Sequence, residues 1–409
     1  LDANSMNTSA DPLPSSLGAA TFVPFLVASI ALAAAYGASF LLSEHLRQSG
    51  LDSSMAGAVI STGILTMIVS SVIAGWVAQR IGLMSTIVAA AAVMALSMIA
   101  FSLAAHDVRI AFIGGLLLGT GWSAFYILAP LQIIHHLRPA ARIKYLTLLS
   151  GGQMVGLGLA SPIGHFVASR FGSYAIVYAG LAGLCVIAAI AFSLVRQRTE
   201  RTPQPQIDAT GLTAARVAEI LRHGTRLPII MIGLAACVFS ALSNFQAIYA
   251  ESRHLSPDTF FVTFTLTTVF CRFTLAQTIS RLPVRKLAFT LFAMTLLALV
   301  LFVSNPGSES LYVIGSFIFA IGYGLSYSTL NGMAVNLAGE KGLSASACSQ
   351  VFTIAYFTGL FGFPYVAGTL VTHVGVNGMI VATIAVVVIN LLMLVHASLR
   401  RDNAQIAAR

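Results

Sequence analysis

Charge is what this chain has least of. Its 409 residues include 22 Lys or Arg and 13 Asp or Glu, 9% in all, where soluble domains carry about 25%. That scarcity excludes a soluble enzyme. Acids are missing altogether from the middle of the apolar runs: all thirteen lie in tails, in loops or at run ends. Cysteine is rare too. Cys185, Cys237, Cys271 and Cys348 fall inside apolar runs with no metal-ligand or redox spacing, so they read as packing residues and no metal site is expected. The chain has no phosphate-cradling glycine loop and no nucleophile–base pair at a recognisable spacing. Neither catalysis nor a cofactor is expected.

What is abundant is hydrophobicity, 57% of residues. Runs of about 20 apolar residues, each enough to cross about 30 Å of hydrocarbon, recur at 22–42, 54–77, 84–105, 110–134, 145–168, 174–195, 227–250, 259–280, 286–304, 310–336, 343–372 and 377–398. Lipid offers no partner for backbone groups, so segments of this length must be helices. The expectation is an all-α membrane protein of twelve transmembrane helices. With a cytoplasmic N-terminus, 17 of the 22 basic residues fall on the cytoplasmic side; Arg47, Arg109, Arg170 and Arg253 fall outside, and Arg272 lies within a span. The positive-inside rule therefore places both termini in the cytoplasm. It also accounts for the net charge of +9 without nucleic acid as a partner. Residues 1–5, Leu-Asp-Ala-Asn-Ser, precede Met6 and read as an expression remnant, and 1–20 as a disordered tail.

The domain expectation is a bundle of six spans over 21–195, a cytoplasmic linker over 196–226, a second bundle over 227–399 and a tail over 400–409. Within the linker, Leu212, Val217, Ile220 and Leu221 form one apolar face, either an amphipathic helix on the inner leaflet or part of a solvated connector. The halves echo each other. Gly119-x-Gly121 and Gly322-x-Gly324 are offset by 203, Pro162 and Pro364 by 202, Gly75-x4-Arg80 and Ala276-x4-Arg281 by 201, and Glu44 and Glu251 by 207. Agreement on register points to a duplicated six-helix unit, pseudo-symmetric, with a binding site at the midplane between halves.

Twelve spans as two sixes, a central linker, and Gly75-Trp-Val-Ala-Gln-Arg80-Ile-Gly82 between spans two and three together resemble the major facilitator superfamily. The loop is similar to that family's gate signature, Gly-x-Leu-Ala-Asp-Arg-x-Gly-Arg-Arg. Gly75, Arg80 and Gly82 keep it, while Gln79 replaces the acid and Leu83-Met84 the basic pair. Ser161-Pro162-Ile-Gly164-His165 echoes the span-five antiporter motif. Arg272, Ala276 and Arg281 resemble the close of span eight in drug, metabolite and metallophore exporters, with Ser280 where Asp is common. The resemblance implies gating roles for Gly75, Gln79, Arg80, Gly82, Arg281, Pro162 and Pro364, and a cavity lined by spans one, four, seven and ten.

The polar content of those spans can be read by itself. Tyr323, Tyr327 and Asn331 lie at i, i+4 and i+8 on one stripe of span ten; Trp122 and Tyr126 are four apart in span four; Tyr36 lies in span one and Asn244 in span seven. With Arg272 these are the candidate substrate-binding residues. The alternative for small polar side chains is helix–helix glue. Arg272 lies about eight residues, or about 12 Å, from the inner end of its helix, far for snorkelling, and could instead bond carbonyls or Glu340. Since no acid shares the membrane core, a carboxylate-bearing solute is the partner that best matches its fork. Cationic drugs, which need an intramembrane acid, fit less well. Candidates for proton coupling are His165, Glu44 and Glu251; His165 also stands near Pro162, where it would serve a carbonyl freed by a kink.

The expected function is secondary transport across the inner or plasma membrane, by alternating access, of a small anionic or zwitterionic organic solute of carboxylate or siderophore type, outward, with a proton as the coupling ion and a monomer in the bilayer. Alternatives are a polyspecific drug exporter, a siderophore or metabolite importer, and a transporter-like sensor or scaffold.

Overall fold

The computed structural model describes residues 19–104, 107–136, 139–199, 214–222, 225–274 and 282–407, and every regular element among them is a helix. Ten of these helices are long and apolar enough to cross a membrane. The last of the ten holds two spans, because Gly375 takes a left-handed backbone (φ 76°) and breaks the helix between spans eleven and twelve. Span eight, described over Pro257–Thr274, completes twelve. Large apolar side chains such as Leu65, Phe166, Phe270 and Leu392 point outward and stay exposed, as lipid-facing positions must.

Helix ends follow local chemistry. Asp52 caps span two by accepting the Met55 N–H at 2.9 Å. That bond, with a second from the Ser54 hydroxyl at 2.8 Å, holds its carboxyl below the ordinary range. Gly82 ends the same helix with φ 93°, its N–H returning to the Ala78 carbonyl at 3.0 Å, a conformation that favours glycine. Span one runs further than its hydropathy suggests. A turn of 3-10 helix over Ala38–Leu41 carries it into Leu42–Gln48, so Glu44 sits within a helix rather than at its end.

Packing repeats between the halves. Spans one and five, two and four, and three and four pack together in the first half. Seven and eleven, eight and ten, and nine and ten do so in the second. A Cβ at Gly156 of span five would strike the Ile30 carbonyl of span one, and one at Gly359 of span eleven would strike the Gly233 carbonyl of span seven. Within the Gly-x-Gly match the partners cross over. Gly121 approaches span three (Met94) and Gly322 approaches span nine (Thr295), whereas Gly119 meets span two (Gly63) and Gly324 meets span eight (Thr268). Equivalent partners pair Gly121 with Gly322 at 201 and Gly119 with Gly324 at 205, on either side of the 203 that separates Gly156 from Gly359.

The halves meet along two seams that exchange under the same symmetry, span two with span eleven and span five with span eight. In the first, Gly57 lies against the Pro364 carbonyl, and the Tyr365 N–H donates to Ser61 Oγ at 3.0 Å. In the second, Gly158 faces Thr265. The linker helix Ala214–Arg222 packs against the second half, with Ile220 buried, Val217 and Leu221 beside it, and the Thr225 hydroxyl donating to the Ile220 carbonyl. Its apolar face is covered by protein, not laid on lipid. The expected tail over 1–20 lies, except for its last two residues, outside the described residues, as does most of the linker.

Candidate functional site

At mid-depth the aromatic residues of both halves form one connected wall. Tyr36 stacks on Trp122 (4.5 Å between centroids, 6° between planes), and Trp122 leans on Tyr126 at 5.6 Å. Tyr126 then meets the second half, Phe357 at 5.2 Å and Tyr327 and Tyr356 at 6.5 Å. Tyr327 and Tyr356 pack edge to face at 5.1 Å, and Tyr323 lies flat on Phe239 at 4.7 Å. Helical spacing makes this possible: Trp122 and Tyr126, like Tyr323 and Tyr327, are one turn apart and share a face.

Arg272 belongs to this wall. Tyr126, Tyr356, Tyr327 and Tyr323, from spans four, ten and eleven, stand close enough to act on its guanidinium electrostatically. Among the described residues no carboxylate pairs with it, and Glu340 stands exposed at the end of span ten without an ion pair to Arg272. The Tyr327 hydroxyl lies 3.4 Å from Thr353 Oγ1. Trp122 Nε1 and Gln153 Nε2 are buried donors, and Asn331 Oδ1 a buried acceptor, with no partner among the described residues.

Exposure grades along the membrane normal. Tyr36 and Trp122 are buried at 3% and 2%, while Tyr126, Arg272, Tyr327, Asn331 and Tyr356 keep accessible surface. The wall is therefore sealed toward the end bearing Glu44 and accessible toward the end bearing Arg80.

Of the eight candidate binding residues, Arg272, Tyr36, Trp122, Tyr126, Tyr323 and Tyr327 come together, and Asn331 lies on the same stripe. Asn244 does not join them through any described contact. It sits at a bend in span seven (Phe245, φ −119°), where its Nδ2 donates to the Ser240 carbonyl at 2.8 Å and its own carbonyl accepts from Ser43 Oγ at 2.8 Å. Tyr356 and Phe357, in span eleven, complete the wall.

The proton-coupling candidates form a second cluster at the Glu44 end. His165 Nε2 lies 2.6 Å from Glu44 Oε2, and its Nδ1 lies 2.5 Å from Asp258 Oδ1. The Tyr174 hydroxyl donates to Glu44 at 3.0 Å. His165 serves no kink carbonyl. Glu251 stands apart from it, paired with Arg47 at 2.5 Å. Asp258 and Tyr174 are the residues not singled out in the sequence; for Asp258 the available signal is that it follows Glu251 by seven residues, as Asp52 follows Glu44 by eight.

A sequence profile described as the Major Facilitator Superfamily matches residues 24–360. The chain belongs to the major facilitator superfamily. No curated protein matches it by sequence. Among solved structures it is similar to an auto-inhibited POT family peptide transporter, with a TM-score of 0.67 at 13% identity, covering 92% of this chain and 96% of the other. At that identity the likeness shows the fold alone. Membership makes the chain a multi-pass integral membrane protein in a family of secondary transporters and non-enzymatic carriers. The stretch that resembles the gate signature forms the last turns of the span-two helix rather than a loop; there Arg80 lies over the Trp76 ring at 3.9 Å, with Gln79 exposed beside it. Pro162 and Pro364 lie inside helices, near the two seams. Arg281 and Ala276 lie outside the described residues.

Proposed function

We propose that this transporter moves a small organic anion or zwitterion whose carboxylate docks on Arg272. One observation carries the reading: a guanidinium at mid-depth, beside the tyrosines of the wall, to which no carboxylate is paired among the described residues. A buried charge left uncompensated costs several kcal/mol, and a planar carboxylate matches its fork. The surrounding rings supply apolar walls for the body of the solute.

With the termini in the cytoplasm of the inner or plasma membrane, as the basic residues favour, the accessible side of the wall is cytoplasmic. Importers and exporters both pass through such a state, so the proposed outward direction rests on the resemblance of the close of span eight to exporters. The proposed unit is the monomer.

The test is binding and flux in proteoliposomes with a panel of carboxylates. Arg272→Ala should weaken binding about tenfold to a hundredfold, the equivalent of a lost charge-assisted hydrogen bond, and abolish flux. Arg272→Lys should keep part of the binding, as a point charge without the fork. Unchanged anion affinity in Arg272→Ala overturns the proposal. Transport of lipophilic cations unaffected by that change would replace it with a drug-export reading.

A further inference from the structure

The Glu44 end is held shut by contacts that cross the halves, and one of them depends on a proton. His165 of span five has each ring nitrogen on a carboxylate oxygen: Nε2 on Glu44 of span one at 2.6 Å, Nδ1 on Asp258 of span eight at 2.5 Å. Carboxylates only accept, and a neutral imidazole has one N–H and one lone pair. Two such contacts at once require an imidazolium, or else a protonated carboxyl donating to the second nitrogen. Either way the cluster holds one proton more than a neutral histidine and two carboxylates.

We propose that Glu44, His165 and Asp258 form a proton-operated latch, which closes this end of the transporter when it takes up a proton and frees it when the proton leaves. Glu44 and His165 belong to the first half and Asp258 to the second, so opening must part His165 from Asp258. The bond that then breaks is Nδ1–H. Its proton passes to water, the electron pair stays on the ring, and Nε2–H remains on Glu44. Water has a route. The three side chains line a recess of about 450 Å³ together with Gln48, Gly172 and Tyr174, and Asp258 keeps 35% of its side chain exposed.

The other polar groups at this end have partners of their own. Tyr174, from span six, donates its hydroxyl to Glu44. His45 is turned away, with its Nε2 on the Phe101 carbonyl at 3.0 Å. Arg47 and Glu251 make a second, exposed bridge between the halves at 2.5 Å, which contains no histidine and serves as the control.

The sign follows from the count. The closed form holds one more proton than the open form, so raising pH on the Glu44 side favours opening, by at most about tenfold per pH unit for one proton. The inference rests on the transporter reading only in that the halves part at this end; it uses neither Arg272 nor a solute.

The experiment places spin labels at Ser49→Cys and Ser256→Cys, exposed positions on opposite halves, in a Cys237→Ala background without solute. Distances are read in proteoliposomes with the Arg80 side buffered and the Glu44 side stepped from about pH 5 to about pH 9, across the imidazole range. The short-distance population should fall as pH rises. His165→Gln and Asp258→Asn should each flatten that response. His165→Arg should hold the closed distance throughout, and Arg47→Gln should lower the closed fraction at every pH with the slope kept. Adding Arg272→Ala should leave the response intact, which separates this test from that of the binding proposal. A wild-type distance insensitive to pH on that side, or a response that persists in both His165→Gln and Asp258→Asn, overturns the latch.

Discussion

The Tyr327 hydroxyl sits where the two halves, the guanidinium and the open side of the wall meet. Its ring lies 6.5 Å from that of Tyr126, and the hydroxyl approaches Thr353 Oγ1 at 3.4 Å. Tyr327→Phe keeps the ring and removes one hydrogen-bonding group, so solute affinity should fall about twofold to tenfold, the value of one neutral hydrogen bond, with thermal stability unchanged. Asn244→Ala should do the reverse, lowering the melting temperature through the bend of span seven and leaving affinity near wild type. Titration calorimetry and thermal unfolding, run on both variants, check the pair of outcomes. The contrast marks what a single sequence discloses at this scale. Tyr323, Tyr327 and Trp122 with Tyr126 were legible because helical period places them on shared faces. Asn244 has the same polarity but serves the backbone, which composition does not record. Asp258 and Tyr174 were illegible for a different reason: their partners lie 93 and 130 positions away, at span ends where polar residues are ordinary.

Glycines with the same sequence appearance do different things according to the element they face. Gly57 and Gly158 lie on the seams between halves, against Pro364 and Thr265, whereas Gly156 lies inside the first half against Ile30. A bulky side chain on a seam opposes closure but leaves each bundle packed; one inside a bundle opposes folding. Gly57→Leu and Gly158→Leu should therefore lengthen the label distance at the Glu44 end with little loss of stability. Gly156→Leu should lower the melting temperature, at the about 1–3 kcal/mol that overpacking usually costs, without a matching change of conformation. Distance measurement and thermal unfolding on the three variants decide it; equal destabilisation by all three would deny the distinction. The spans themselves were legible because hydropathy and length suffice in lipid. Register within them was not. The Gly-x-Gly match read both glycines at 203 although their partners cross over, since a glycine pattern records close approach without recording to which neighbour. Gly375 likewise looked like a loop residue, and it is the single break in an otherwise continuous helix.

Which end of the molecule is closed is a property of the whole and leaves no mark in the sequence: twelve spans and a doubled unit are compatible with either state. It emerges from contacts that all fall on one side. Glu44, His165 and Asp258, Arg47 with Glu251, Ser43 with Asn244, and Gly57 with Pro364 all lie between the midplane and the Glu44 end. The cross-half contacts on the Arg80 side of Trp122 are those of Tyr126 with Tyr327, Tyr356 and Phe357, at mid-depth. The exposure gradient through the aromatic wall has the same direction, from Tyr36 at 3% to the accessible Tyr327 and Tyr356. A membrane-impermeant thiol reagent reads this gradient directly. In a Cys237→Ala background, with the remaining cysteines buried, Tyr327→Cys and Tyr356→Cys should be modified from the Arg80 side of sealed vesicles and protected from the Glu44 side, whereas Tyr36→Cys should resist reagent from both. Under alternating access that pattern cannot be fixed. Wedging the seam with Gly57→Leu should make Tyr36→Cys reactive from the Glu44 side and slow Tyr327→Cys from the Arg80 side. Reactivity of Tyr36→Cys from the Arg80 side in the unwedged protein would show that the wall is a continuous channel rather than a sealed one, and the rocking of two halves about Arg272 would lose its structural basis.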